Sequence, residues 1–247
     1  MGRTVLITGG CKNIGKQIAQ VFAENNYNVI VTSRNNNNKS IITYFKKKNL
    51  KVFFYTLNVE NEDEVVNVFK EINNDIGKID ILINNAGISQ GNTLLEDSKT
   101  EDFKSMINTN ILGSYYCMKH VIPYMKRNRY GVIINIVSIA ALRGIPYSIL
   151  YGSTKNAVIA LTKGAAIENA NNGIRVNAIA PGIIKTESLN TEIQNSEDEL
   201  NEQTIAAIHP MQILGEEKDV ANTAYFIANS SFMTGSIVNL DGGYTAQ

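Results

Sequence analysis

An α/β fold, a doubly wound and mostly parallel sheet with helices on both faces, is predicted for this 247-residue chain. Short apolar runs alternate with helix-like segments from residue 4 to about residue 180, the order of a parallel sheet covered on both sides. The run Val132 to Val137 is apolar enough for a fully buried strand. No composition break and no internal repeat divides the sequence, so residues 1–247 are expected to form a single domain.

The first strand, Thr4 to Ile7, runs into Thr8-Gly9-Gly10-Cys11-Lys12-Asn13-Ile14-Gly15, and a helix follows with Ile18, Ala19 and Phe22 on one face. A glycine-rich turn between strand and helix lets backbone amides approach a phosphate at a helix N-terminus. Taken alone, such a turn serves close packing equally well. The second strand, Asn28 to Thr32, ends at Ser33-Arg34, where the adenine ribose of a dinucleotide would lie. An acidic residue there would repel a 2′-phosphate. Ser33, Arg34 and Lys12 offer a hydroxyl and two cations instead, which suits NADP; the other reading is that both cations are solvated surface charges.

Asn35 to Asn38 reads as a solvated turn before a helix over Ile41 to Lys48. A third strand, Val52 to Tyr55, leads to Asn58-Val59 and an acidic helix from Glu62 to Asn74. The fourth strand, Asp80 to Ile83, delivers Asn84-Asn85-Ala86-Gly87 to the same sheet edge as the glycine turn, the edge where ligands bind in open α/β sheets. A helical region from Phe103 to Arg129 carries Asn108, Asn110 and Gly113, with Pro123 marking a kink or break. After the strand at Val132 to Val137 come Ser138 and a helix beginning near Leu150; a further strand, Ile174 to Ala180, precedes Pro181-Gly182.

Tyr151 and Lys155 are four apart on that helix, so phenol and ammonium share one small volume. A free phenol titrates near about 10, and a neighbouring cation is expected to lower that value and make Tyr151 a general acid/base. Ser138, at the strand end, can donate to the same oxygen as a carbonyl becomes an alkoxide. Such pairs are common on helix surfaces, so the hydride donor must be found elsewhere in the chain.

Lys plus Arg equals Asp plus Glu at 23 each, which gives no electrostatic reason to expect nucleic acid or membrane partners. Two cysteines, Cys11 and Cys117, and no histidine cluster argue against a disulfide scaffold or a zinc site. Met1 to Thr4 shows no signal-peptide pattern, and no apolar run is long enough to span a bilayer, so a cytoplasmic location is expected.

Together, Thr8-Gly9-x-x-x-Asn13-Ile14-Gly15, Asn84-Asn85-Ala86-Gly87, Asn110, Ser138, Tyr151-x-x-x-Lys155, Pro181-Gly182 with Thr186, and Asp241-Gly242-Gly243 resemble the short-chain dehydrogenase/reductase family over nearly the full length. The resemblance implies a seven-stranded Rossmann fold and an NADPH-dependent oxidoreductase that reduces a ketone to a secondary alcohol, reversibly. It makes Tyr151 the proton donor, Ser138 the carbonyl-polarising donor and Lys155 both the tuner of Tyr151 and a ligand of the nicotinamide ribose. Asn110 would hold a water linking Lys155 to solvent. Gly9, Asn13, Ile14 and Gly15 would hold the pyrophosphate region. Asn85, Ala86 and Gly87 would line the adenosine side, and Ile183 and Thr186 beyond Pro181-Gly182 would contact the carboxamide.

Two departures from the family pattern stand out. Asn13 replaces a glycine, and asparagine tolerates left-handed geometry better than most residues. Asn58, beside Val59, replaces the aspartate that accepts from the adenine amino group, and its carbonyl oxygen can still accept.

The chain is also similar to 3-oxoacyl-carrier-protein reductases and, in its tail, to dehydrogenases of cyclic secondary alcohols. Arg129 falls where the former place a carrier-docking base at the site entrance, but Asn172 stands at the second such position. Substrate choice would fall to Ala140–Ser148, Ser89-Gln90-Gly91 and the segment 183–211. That last segment, with Leu189, Ile193, Leu200, Ile205 and Ile208 as its apolar positions, reads as a helical lid, or equally as a surface helix pair or oligomer contact. His120 and His209 read as structural or surface residues. The resemblance further implies a homotetramer, using the helices near Asn110–Arg129 and Leu150–Asn171 and the C-terminal strand. The alternatives are an NAD-linked alcohol dehydrogenase, a non-catalytic NADP(H) sensor and a sugar-nucleotide epimerase, for which little chain remains after Pro181.

Overall fold

A computed structural model describes residues 2–90, 93–195 and 201–247. The strands of the main sheet are β1 (Thr4–Ile7), β2 (Asn28–Ser33), β3 (Val52–Thr56), β4 (Ile81–Asn84), β5 (Gly131–Ile136), β6 (Ile174–Pro181) and, after two short strands outside it, β9 (Ile237–Leu240). They form one seven-stranded sheet in the order β3-β2-β1-β4-β5-β6-β9. Every pairing is parallel. Strands β1 and β4 are neighbours although β2 and β3 intervene in sequence. The winding reverses at that point, which opens a crevice beyond their carboxyl ends.

Alternation along each strand sorts the side chains into two cores. Val5, Ile7, Val29, Val31, Ile81 and Ile83 face one side, where helices α1 (Asn13–Glu24), α2 (Ile41–Lys47) and α9 (Glu217–Asn229) contribute Phe22, Phe45 and Val220. Leu6, Ile30, Leu82 and Ile133 face the other, against α3 (Glu62–Asp75), α5 (Gly113–Asn128) and α6 (Ile149–Asn169), through Phe69, Val121 and Ala166. Leu82 is wholly buried, so its truncation to alanine should cost about 2–5 kcal/mol.

The helical region after β4 differs from expectation. Helix α4 (Thr100–Met106) passes into a single π-helical stretch, Ile107–Leu112, before α5 continues unbroken through Pro123. Beyond β6, β7 (Ile184–Lys185) pairs with β8 (Gly215–Glu216) in a small second sheet. Helices α7 (Glu187–Asn195) and α8 (Glu202–Ala206) lie between them in sequence. Leu189, Ile193 and Ile205 pack there with Leu214, whereas Ile208 is exposed. Leu200 and Gly91 lie outside the described residues.

Candidate active site

The crevice between β1 and β4 begins as a cleft of about 380 Å³. Gly9, Asn13, Ile14 and Gly15 form one side, with Lys12 at its rim. Ser33 and Arg34 close the end at β2, Asn58 and Val59 the end at β3, and Asn85, Ala86 and Gly87 the side at β4. The glycines here leave a cradle that side chains would fill. A Cβ at Gly15 would lie 2.5 Å from Gly9 O, and one at Gly9, where φ is +63°, would lie 3.1 Å from Ala86 Cα. Asn13 adopts φ +47°, the left-handed geometry its substitution for glycine demanded, and its Nδ2 donates to Ser188 Oγ at 2.7 Å. Thr8 Oγ1 accepts from the amides of Asn85 and Ala86, while Asn85 Nδ2 donates to Thr8 O and Gly9 O, so the two strand ends are tied together. A backbone-lined cradle with cations at one end fits a dinucleotide diphosphate bearing an additional phosphate.

Two residues at the phosphate end were not foreseen. The asparagine run is not a plain solvated turn: Asn36–Ser40 forms a 3₁₀ helix, and Asn38 lines the cleft, donating from Nδ2 to Ser33 Oγ at 2.6 Å. Glu60 also lines it, accepting from Thr109 Oγ1 at 2.6 Å and lying 3.9 Å from Arg34 Nη1. No periodic signal marks either residue. Asn58 Oδ1 already accepts from Glu60 N at 3.2 Å, so an adenine amino group would have to share that oxygen.

The cleft continues past Ile14, Asn85, Gly87 and Thr186 into a smaller chamber of about 260 Å³ that holds Ser138, Tyr151 and Lys155. Ser138 lies two residues beyond β5 and caps the following turn, its Oγ accepting from Ala140 N at 3.2 Å. That bond uses only the oxygen, and the hydroxyl proton of Ser138 goes to the Tyr151 oxygen. Lys155 is buried, donates to Ile136 O at 3.0 Å and lies 5.7 Å from the Tyr151 ring centroid. The two share one volume, as their spacing predicts.

Their titration differs from expectation. Burial pushes the Tyr151 phenol up to about 12 against a lowering hydrogen bond from Ser138, and burial brings the Lys155 ammonium down to about 8. Desolvation sets both directions, and at the phenol it outweighs the hydrogen bond from Ser138. Tyr151 is thus held as an acid, and Lys155 is the group poised near neutrality.

Asn110 lines neither part of the cleft and is completely buried behind Ile88. Its Oδ1 accepts from Ile88 N at 2.9 Å, and its Nδ2 donates to Ile88 O at 2.9 Å and Thr154 Oγ1 at 3.0 Å. The π-helical stretch carries it, a local widening often found at functional positions. Gly87 is the contact between this bracket and the lysine: a Cβ there would stand 3.0 Å from Lys155 Nζ and 3.2 Å from Asn110 Oδ1.

Pro181, Gly182 and Thr186 line the chamber, but Ile183 does not; Ile184 takes its place. Ile183 packs with Leu189, Ile193 and Ile205, and its amide donates to His209 Nε2 at 3.2 Å, so it is not offered to a carboxamide. Arg129 is also displaced from expectation. It stands in left-handed geometry at the amino end of β5, bonded to Asn171 O, on the sheet edge opposite Ser138. Ala140–Ser148 lines a separate open groove of about 700 Å³ together with Leu94 and Leu95, and the groove and chamber share no lining residue.

A family model described as enoyl-(acyl carrier protein) reductase matches residues 9–245. The 3-oxoacyl-[acyl-carrier-protein] reductase FabG of Staphylococcus epidermidis is 37% identical over 98% of this chain and 99% of its own length. Among solved structures, ElxO with NADP bound superposes with a TM-score of 0.94 at 50% identity, covering both chains completely. A short-chain type dehydrogenase/reductase from Mycobacterium ulcerans gives a TM-score of 0.92 at 30% identity over 99% of this chain and 90% of that one.

Proposed function

We propose a function from one fixed premise: this chain belongs to the short-chain dehydrogenase/reductase family, and it is an NADPH-dependent enzyme that reduces a ketone to a secondary alcohol, reversibly. The observation that carries the reading is the joining of the glycine cradle to the Ser138, Tyr151 and Lys155 chamber through shared walls. NADPH, when bound, supplies hydride to the carbonyl carbon.

The residues of the chain do the rest. Lys12, Ser33, Arg34 and Asn38 hold the 2′-phosphate end. Tyr151, neutral because its phenol is desolvated, gives its proton to the carbonyl oxygen, and the Ser138 hydroxyl, bonded to the Tyr151 oxygen in this structure, turns to the same carbonyl oxygen as charge develops. Lys155 spends one N–H on Ile136 O and keeps the others for the tyrosine oxygen and the nicotinamide ribose. Both amide hydrogens of Asn110 are committed, so a relay water held by it would sit on Oδ1, on the Lys155 side at Gly87. Thr186 takes the carboxamide without Ile183.

The substrate in this reading is a 3-oxoacyl thioester or a cyclic ketone, with 183–211 closing as a lid. Homotetramer assembly is supported by apolar side chains left exposed on the expected helices, Tyr115 and Ile167, and by the edge position of β9. A cytoplasmic location completes the reading. The test is NADPH consumption with acetoacetyl-CoA and with cyclohexanone, by wild type and Tyr151→Phe. Turnover of neither ketone by wild type that binds NADPH would overturn the substrate assignment.

A further inference from the structure

His209 is 2% exposed and joins three segments, one of which, at Gly182, lines the chamber. Its Nε2 accepts from Ile183 N, and a Cβ on Gly182 would stand only 2.8 Å from that nitrogen. Its backbone closes the end of α8, with His209 N donating to Ala206 O at 3.0 Å. Its ring lies 5.9 Å from that of Tyr244, and its Cβ would lie 3.3 Å from one on Gly242. The other ring nitrogen, Nδ1, is buried without a hydrogen-bond partner among the described residues.

The Ile183 amide can only donate, so Nε2 must present its lone pair and the imidazole proton must sit on Nδ1. A buried unpaired Nδ1–H is costly, and the fold accepts that cost to place an acceptor at Ile183. We infer that His209 is a positioning residue for the reaction: the neutral imidazole anchors the Ile183 amide, fixes the Pro181–Thr186 wall against which the nicotinamide lies, and lets go of it when protonated. The inference rests on the reading of that wall as the nicotinamide side.

Protonation puts a hydrogen on Nε2, opposite the Ile183 N–H, so the anchor is lost on the acid side. The titratable and charged groups on the segments packed around the ring are Asp241, Tyr244, Lys185 and Glu202. Lys185 and Glu202 pair with each other at 2.7 Å, and Asp241 accepts from Gly243 N and from Thr245. None replaces the lost acceptor at Ile183.

The experiment compares wild type, His209→Leu and His209→Gln for NADPH affinity, KM and kcat between about pH 5.5 and 8. Leucine fills the space without an acceptor; the Gln side-chain oxygen can accept near the position of Nε2. His209→Leu should raise the KM for NADPH about tenfold with kcat changed less than about threefold, while His209→Gln stays within about twofold of wild type. Wild type should lose NADPH affinity toward acid pH more steeply than His209→Gln, because the 2′-phosphate titrates alike in both. Equal KM in His209→Leu and wild type, or parallel pH profiles in wild type and His209→Gln, overturns the inference. Should His209→Leu fail to fold, the pH comparison with His209→Gln decides. Hydrogen exchange at the Ile183 amide, faster in acid for wild type than for His209→Gln, reads the anchor without cofactor. Failure of wild type to bind NADPH would therefore strike the site assignment and leave this inference separately testable.

Discussion

The two ends of the crevice are built from opposite materials. At the reacting end, Lys155 is 6% exposed and Asn110 fully buried, and each is held by backbone: Lys155 by Ile136 O, Asn110 by both polar groups of Ile88. At the phosphate end, Arg34 keeps 68% of its side chain in solvent, with a single carboxylate 3.9 Å away. Chemistry needs fixed geometry, and buried hydrogen bonds supply it. Recognition of a charged phosphate tolerates mobile cations, which are cheap to keep in water and are screened by salt.

The contrast breaks most visibly at Tyr151. Tyr151→Phe removes the only proton this arrangement delivers to the carbonyl oxygen, so kcat should fall by about 10²–10⁴-fold. NADPH binding, measured by fluorescence titration, should stay within about twofold, since the phosphate end is untouched. A variant that retained turnover would show that the proton reaches the carbonyl oxygen from a group other than Tyr151.

A pH profile sharpens the same end. The Lys155 ammonium is lowered to about 8 by burial, and Tyr151 is raised to about 12, so the lysine alone loses its proton between those values. The active form is the cation, present below its titration point. For ketone reduction, kcat/KM should therefore be level up to about pH 8 and then fall about tenfold per unit, with the break set by the free enzyme. A plateau extending to pH 10 would show that the lysine is solvated in the working enzyme.

What the sequence made legible follows the same division by physical cause. Strands were readable because they are apolar on both faces; Val5 and Ile7 against Leu6 shows the alternation that fills two cores. Tyr151 and Lys155 were readable because helical spacing alone brings them together. Asn13 was readable as a left-handed residue because few side chains but asparagine accept that geometry without strain. The bracket around Asn110 was not, since a π-helical turn leaves no periodic mark. Nor were the titration directions of Tyr151 and Lys155, because spacing reports proximity and says nothing of desolvation. His209 looked like an ordinary residue beside Pro210 because burial in an irregular turn has no pattern to detect.

At the phosphate end the expected effects are smaller. Arg34→Ala should weaken NADPH about tenfold and leave NADH within about twofold, because one charge-assisted contact to the 2′-phosphate is lost. The preference should shrink further as salt rises, as expected for an exposed pair. Equal losses for both cofactors would make Arg34 a general support of the β2 loop.

Glu60 gives the finest test. Its carboxylate accepts from Thr109 Oγ1 and stands 3.9 Å from Arg34, so it competes with a phosphate for the same guanidinium. At that distance and exposure the attraction is about 1 kcal/mol or less. Glu60→Gln keeps an oxygen for Thr109 but removes the charge, and it should tighten NADPH by about twofold to threefold at low salt with no gain for NADH. A matching gain for NADH would place the carboxylate's repulsion on the diphosphate that both cofactors share. No gain for either would mean that Arg34 does not reach the phosphate from this side, and the preference would then rest on Lys12, Ser33 and Asn38.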